Sequence, residues 1–430
     1  MRNEVYAALR SEVNERIRES ERIERLRFLR KLLLKNRDKI EKKIPLEDMR
    51  KRVREIKESS IRRIEELLKI ATDSLQENGA NVYFAKTAGD ALKYCLEICD
   101  GDRKITTCGT DMPWEINLYQ TLMDIGKELH HTDFGYTLWQ YMPEERISSR
   151  GAPMVHLSLE KIAEKISAKL HEEIKPEEEA IANKIKEITI KFVADADVGI
   201  TGANAIAAAE GSVLLLHDTG NITKVLGTVP KHLVIAGIEK IVPDLSDAIN
   251  VVRCQNLFMT WRTVKHMNIV SGPTEMKEIG KKIMKGFYGP KEMHVVIVDN
   301  GRTSAIKQGF EEWLYCLHCS YCLRFCSVYD QIGMRYGYGD CHPGGIGVIR
   351  SAFTEGLEAS IRNGLFLCAL CGVCREKCPL RIDAPKMIER LRERALAEGL
   401  GPKLAFELKE SIAQHGNPLK RPKLDRFKYP

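Results

Sequence analysis

The spacing of apolar residues changes twice along the chain, and each change marks a new kind of structure. Over residues 1–44, Leu9, Val13, Ile17, Ile23, Leu26, Leu29 and Leu33 recur at mostly helical intervals among Arg, Lys and Glu, which predicts one long charged helix. Pro45 interrupts it, because proline lacks the amide that a continuing helix needs. A second helix is expected from Leu46 to Glu77, closed by Asn78-Gly79. Short apolar runs then alternate with helical spacing. Residues 81–85 and 104–108 read as strands, and Ala88 to Cys99 and Trp114 to Ile125 as helices. That alternation predicts βαβ units around a parallel sheet.

Residues 157–193 return to helical spacing in two pieces, divided near Lys175-Pro176. From Asp197 to Val252 the chain is dense in glycine and short apolar runs. Residues 212–216, 232–237 and 295–298 are the clearest buried strands, and Asp299-Asn300-Gly301 is a turn signal after them. The fold class expected is α/β. Its parts are a helical arm over 1–77, an α/β domain over 78–305, a helical cysteine-bearing domain over 306–400 and a basic tail over 401–430.

Charge sharpens this division. The net charge is +7 for 430 residues, but residues 1–72 alone hold 22 Lys and Arg against 14 Asp and Glu, so the body is near neutral. A basic arm that interleaves glutamate reads as a solvated helix face, a docking element for an acidic partner, or a means of self-association. No aromatic interleaving accompanies it, so no nucleic-acid role is expected. No apolar run approaches the roughly 18 residues of a membrane span, and residues 1–16 are charged throughout. A cytoplasmic protein is expected, with at most peripheral membrane association.

Thirteen cysteines change the picture most. Eight fall in two runs of the same spacing, C-x2-C-x2-C-x3-C. They are Cys316, Cys319, Cys322 and Cys326, then Cys368, Cys371, Cys374 and Cys378, the last followed by Pro379. Zinc sites usually use separated pairs, whereas this spacing, twice over, fits two [4Fe-4S] clusters. In that pattern the fourth cysteine of each run crosses to the other cluster. The expected ligand sets are therefore Cys316, Cys319, Cys322 and Cys378 for cluster 1, and Cys368, Cys371, Cys374 and Cys326 for cluster 2. The 41 residues between Cys326 and Cys368 include an apparent helix from Ile349 to Asn363, which favours a helical ferredoxin module. No G-x-G-x-x-G opens a helix, so neither flavin nor nicotinamide is expected in this chain.

The glycine-rich middle segment offers a second candidate site. Thr201, Asn204, Glu210, Asn221, His232, Glu239 and Lys240 lie in or beside loops at expected strand ends, where exposed amides and a cation can hold an anion. Cys108 reads as a packed thiol, as does Cys341 beside His342, and Trp114 and Trp139 as core or contact residues.

The run from Gly199 to Ser212, then Asp218-Thr-Gly-Asn221, Pro230-Lys-His232 and Ala236 to Pro243, resembles the lactate-utilisation (LUD) domain. With both cysteine runs, and with Tyr336 to Gly339 and Pro343 to Gly347 between them, residues 45–400 resemble the LutB-type iron–sulfur proteins of lactate utilisation. The loop over Thr106 to Trp114 and the Cys341-His342 pair depart from that pattern. The resemblance implies a LUD fold like the sugar-phosphate isomerase and CoA-transferase group. It also implies a non-catalytic electron-transfer subunit serving L-lactate or 2-hydroxy-acid oxidation, with a flavin-dependent dehydrogenase, a cysteine-rich subunit or a second LUD-domain subunit as partner. The alternative is an electron relay in a different, disulfide- or ferredoxin-linked complex.

Overall fold

Six parallel strands form the central sheet: β1 Asn81–Ala85, β2 Lys104–Thr107, β3 Glu128–His131, β4 Val198–Thr201, β5 Lys231–Gly237 and β6 Glu292–Val298. A computed structural model describes residues 2–149, 152–277, 282–339 and 341–418; residues 419–430 of the expected basic tail lie outside the described residues. The strand order is β1-β6-β5-β4-β2-β3. Val296 of β6 pairs with Tyr83 on one side and Ile235 on the other, and Ile200 of β4 sits between Leu233 and Thr107. The central strands are apolar along their length because helices cover both faces. On one face Ile64, Leu67, Ala71 and Leu75 pack against Val295 and Ile297. On the other, Ala91, Cys95, Leu118 and Leu122 meet Val296 and Val298.

A second, four-stranded sheet runs in the order Ile241–Val242, Ala205–Ala207, Ser212–His217 and His266–Val270. Its core continues without a break into the cysteine domain. Leu214, Val252, Phe258 and Trp261 share one buried cluster with Trp313, Tyr321, Val348 and Leu391.

The expected single helices are broken where side chains find better partners. The arm is three helices, Arg2–Ile17, Ser20–Leu34 and Arg37–Glu41. At the first break, Glu19 accepts hydrogen bonds from Arg16 at 3.2 Å and Arg22 at 2.5 Å, while Arg22 also donates to the Gln331 carbonyl at 2.6 Å. Arg27 pairs with Asp330 at 2.7 Å, and the Tyr6 hydroxyl donates to the Leu400 carbonyl at 2.9 Å. The arm is thereby strapped over the cysteine domain. The helix expected over 46–77 bends at Arg63 into Leu46–Arg62 and Ile64–Glu77. The first piece grips the second cysteine loop: Arg50 donates to the carbonyls of Cys378 at 2.9 Å and Pro379 at 3.0 Å, and Arg54 to Leu380 at 2.7 Å. The helix expected over Trp114 to Ile125 divides at Asn117, whose φ of 56° ends one helical direction before the next begins.

Four fully buried charges bind the two domains. Glu115 accepts from Arg302 at 2.9 Å, from Arg350 at 2.6 Å and from the Asn300 amide at 2.9 Å; Arg302 also donates to Glu239 at 2.5 Å. Two guanidiniums balance two carboxylates, which is what keeps ions tolerable away from water. Burial opposes ionisation of Glu115, but Arg302 and Arg350 outweigh it and hold the carboxyl at about 2. Stability from this group is therefore full above its ordinary value near 4.5 and is lost as pH falls toward about 2. Glu115→Ala would strand the buried Arg350 cation, leave Arg302 with Glu239 alone, and is expected to cost about 3–5 kcal/mol. Denaturant unfolding followed by circular dichroism at pH 7 measures that loss, and a variant within 1 kcal/mol (about the effect of an ordinary substitution) would contradict it.

Candidate functional site

The two cysteine loops repeat each other residue by residue. His318 and Leu370 both adopt left-handed φ, 56° and 53°, and so do Ser320 and Gly372, at 56° and 78°. These turns point amides at sulfur: His318 N–H donates to Cys316 Sγ and Leu370 N–H to Cys368 Sγ, both at 3.4 Å. The Tyr329 amide reaches Cys326 Sγ at 3.5 Å. Such N–H···S contacts suit a sulfur carrying negative charge and tune a metal centre's potential.

The loops then cross. Cys378, from the second run, is an electrostatic neighbour of Cys316, Cys319 and Cys322. Cys326, from the first, neighbours Cys368, Cys371 and Cys374. None of the eight is in a disulfide. Burial pushes Cys316 up to about 11 and Cys374 up to about 12, and drives Cys319 and Cys322 well above the usual thiol range. Thiols so placed become thiolates only with a cation among them, and two groups of four fit two clusters. The groups differ in exposure: Cys319 is buried, whereas Cys371 is exposed.

Beside the first loop lies a cavity of about 540 Å³. Residues at the carboxyl ends of β2, β4 and β5 line it, where open parallel sheets place their crevices. Thr201, Asn204, Asn221, Glu239 and Lys240 are on its wall. Asn204 is held by Gln255 at 2.9 Å and by the Leu216 amide at 2.8 Å, and the Asn221 amide donates to Thr132 Oγ1 at 3.0 Å. The other two candidates lie off the wall because their side chains are used elsewhere. Glu210 accepts from the Leu245 amide at 2.9 Å, at the start of the helix Leu245–Thr260. His232 is fully buried, contacts Thr201 Oγ1 at 2.8 Å and is pushed down to about 3 by that burial, so it stands as a neutral prop.

Sequence reasoning missed several wall residues: Asp111, His217, His318, Arg324 and Arg350, together with Leu26, Leu29, Arg30 and Leu33 from the arm. Asp111 follows β2, a strand-end position that the crevice rule picks out. Arg350 sits within the helix Gly344–Thr354 and carries no local signal. Cys108 is buried, accepts from Thr132 at 3.4 Å and is pushed up to about 12, as a packed thiol should be. Trp114 and Trp139 pack edge to face at 5.9 Å.

A LUD-domain family model matches residues 68–298, and a 4Fe-4S dicluster-domain model matches residues 312–382. Curated relatives include lactate utilization protein B of Bacillus pumilus, 28% identical over 81% of this chain and 72% of that one. Lactate utilization protein B of Bacillus subtilis is 29% identical over 83% and 73%. The uncharacterized electron transport protein YkgF of Escherichia coli is 30% identical over 82% and 72%. Among the described residues no helix is long and apolar enough to cross a membrane.

The crossing of the loops has a spectroscopic consequence. Cys378→Ser is expected to remove about half of roughly eight irons and to leave an electron paramagnetic resonance signal matching that of Cys316→Ser. A signal matching Cys371→Ser instead would overturn the grouping.

Proposed function

Because this chain belongs to the LUD-domain family, in the group named lactate utilization protein B, we propose that it is the iron–sulfur electron-transfer subunit of a complex oxidising L-lactate or a related 2-hydroxy acid. A separate flavin- or iron–sulfur-containing partner would perform the oxidation. The observation that carries this reading is the unequal setting of two equivalent thiol groups. Cys316, Cys319, Cys322 and Cys378 are the proposed ligands of one [4Fe-4S] cluster, and Cys326, Cys368, Cys371 and Cys374 of the other. When bound, such clusters take up and release single electrons.

The chain's own residues supply insulation and direction. Tyr321, Leu323 and Ile346 are buried, and Leu323 and Ile346 line the same small apolar space as Cys316, Cys319 and Cys322. Cys371 reaches solvent, which gives an electron a way out of the second group; the nearby cations Arg375 and Arg381 are paired with Asp383 and Glu47. The domain order, both motif sets and the names of the relatives support the lactate reading. The E. coli relative's name speaks of electron transport with no substrate, which keeps a relay in a different redox complex as the second reading.

Anaerobic affinity isolation of the native protein, with iron and flavin measured in the eluate, tests this. The expected result is a co-eluting dehydrogenase and bleaching of the visible absorption on adding L-lactate. Absorption that bleaches with a low-potential donor, but stays unchanged with lactate and its co-eluting partner, would move the protein to the second reading.

A further inference from the structure

Asp111, His318 and His342 come from three distant parts of the chain and meet at one point. Asp111 is in the loop after β2, His318 is in the first cysteine loop, and His342 begins the short strand His342–Pro343. One ligand atom from each lies within 4.8 Å of the other two. Asp111 Oδ2 is 2.5 Å from His318 Nδ1, and the two imidazoles meet edge to face with centroids 4.4 Å apart. Asp111 and His342 are each 7% exposed, and the His318 side chain 8%. The His342 position is fixed by backbone: a Cβ on Gly347 would fall 1.5 Å from the His342 carbonyl oxygen, so no larger residue fits there.

From this geometry we infer that the three side chains form a mononuclear site for a divalent first-row transition ion, Zn²⁺ or Fe²⁺, separate from the two clusters. Two imidazoles and one carboxylate are the donor set both ions favour, and three protein ligands leave positions open. An ion bound about 2.0–2.2 Å from each donor needs only a side-chain adjustment of the trio. The trio borders a place where a ligand can arrive. Asp111 and His318 are on the wall of the 540 Å³ cavity, and His342 is on the far side against Cys316, with Nε2 3.7 Å from its Sγ. The site thus stands in the partition between the cavity and the first cysteine loop.

A second, independent observation also points to a ligand. Glu239 Oε1 and Arg350 Nη1 are buried with no hydrogen-bond partner among the described residues, and both side chains line the same cavity. Together they offer an acceptor and a donor on the wall of the cavity that Asp111 and His318 also line, which suits a small oxyanion bearing a hydroxyl.

The test uses full-length protein isolated anaerobically with both clusters assembled. Iron, sulfide and zinc are quantified, and crystals are measured above and below the zinc and iron absorption edges. One ion per chain beyond the cluster iron is expected, with an anomalous peak in bonding range of all three residues. Full cluster content with no third ion, even after incubation with Zn²⁺ or Fe²⁺, would overturn the inference and leave Asp111 and His318 as a plain ion pair. Asp111→Asn is expected to lose the third ion while keeping cluster iron and visible absorption; retention of the ion in that variant also overturns it. Because His342 touches Cys316, wild-type protein loaded with Co²⁺ gives the decisive reading. One bound equivalent with nitrogen hyperfine coupling from two histidines supports the site, and coupling from none refutes it.

Discussion

The Glu115, Glu239, Arg302 and Arg350 network is the constraint on which the rest depends. Four ions withdrawn from water are tolerable only while their charges balance. Glu115 follows β2, Glu239 follows β5 and Arg302 follows β6, so the network gathers the carboxyl ends of the sheet. Arg350 enters from the other domain. Its helix, Gly344–Thr354, cannot slide along the sheet without stranding a cation, and that fixes the distance from the strand ends to the first cysteine loop. The cavity exists because the two halves are held at that separation.

The cysteine loops show the opposite economy, since their geometry is almost wholly local. Left-handed turns at matched positions bring amides onto sulfur in both loops, yet what surrounds the loops differs. One is pressed into the core shared with the α/β domain; the other ends in solvent at Cys371. Repetition supplies two equivalent binding units, and packing makes them unequal.

How much of this was legible in the sequence follows from how local each feature is. Cysteine spacing encodes its site within a dozen residues, and the apolar runs at 212–216 and 295–298 announce buried strands on their own. The strand Glu128–His131 did not, because Glu128, His130 and His131 disguise it; His130 and His131 are buried polar residues that lean on Thr189 and Trp114. The arm read as one helix because its heptad-like leucines continue past Arg18, where ion pairs to Glu19 turn the chain. The glycine-loop residues divided according to where the fold used each side chain: Glu210 is turned away to accept from the Leu245 amide and His232 is sunk beneath Thr201, neither of which local spacing reveals. Arg350, Asp111 and His318 were illegible as a group because only the fold makes them neighbours.

The arm has a consequence for the order of assembly. Leu26, Leu29, Arg30 and Leu33 roof the cavity, and their helix is anchored by Asp330 and by the Arg324 and Gln331 carbonyls, while the helix before it is tied through Tyr6 to Leu400. During translation the roof is made some three hundred residues before the surface it rests on. It can dock only after the sheet and then the cysteine loops have been synthesised. Until the arm docks, the cavity beside the first loop has no roof, so that wall is the last part of the site to close.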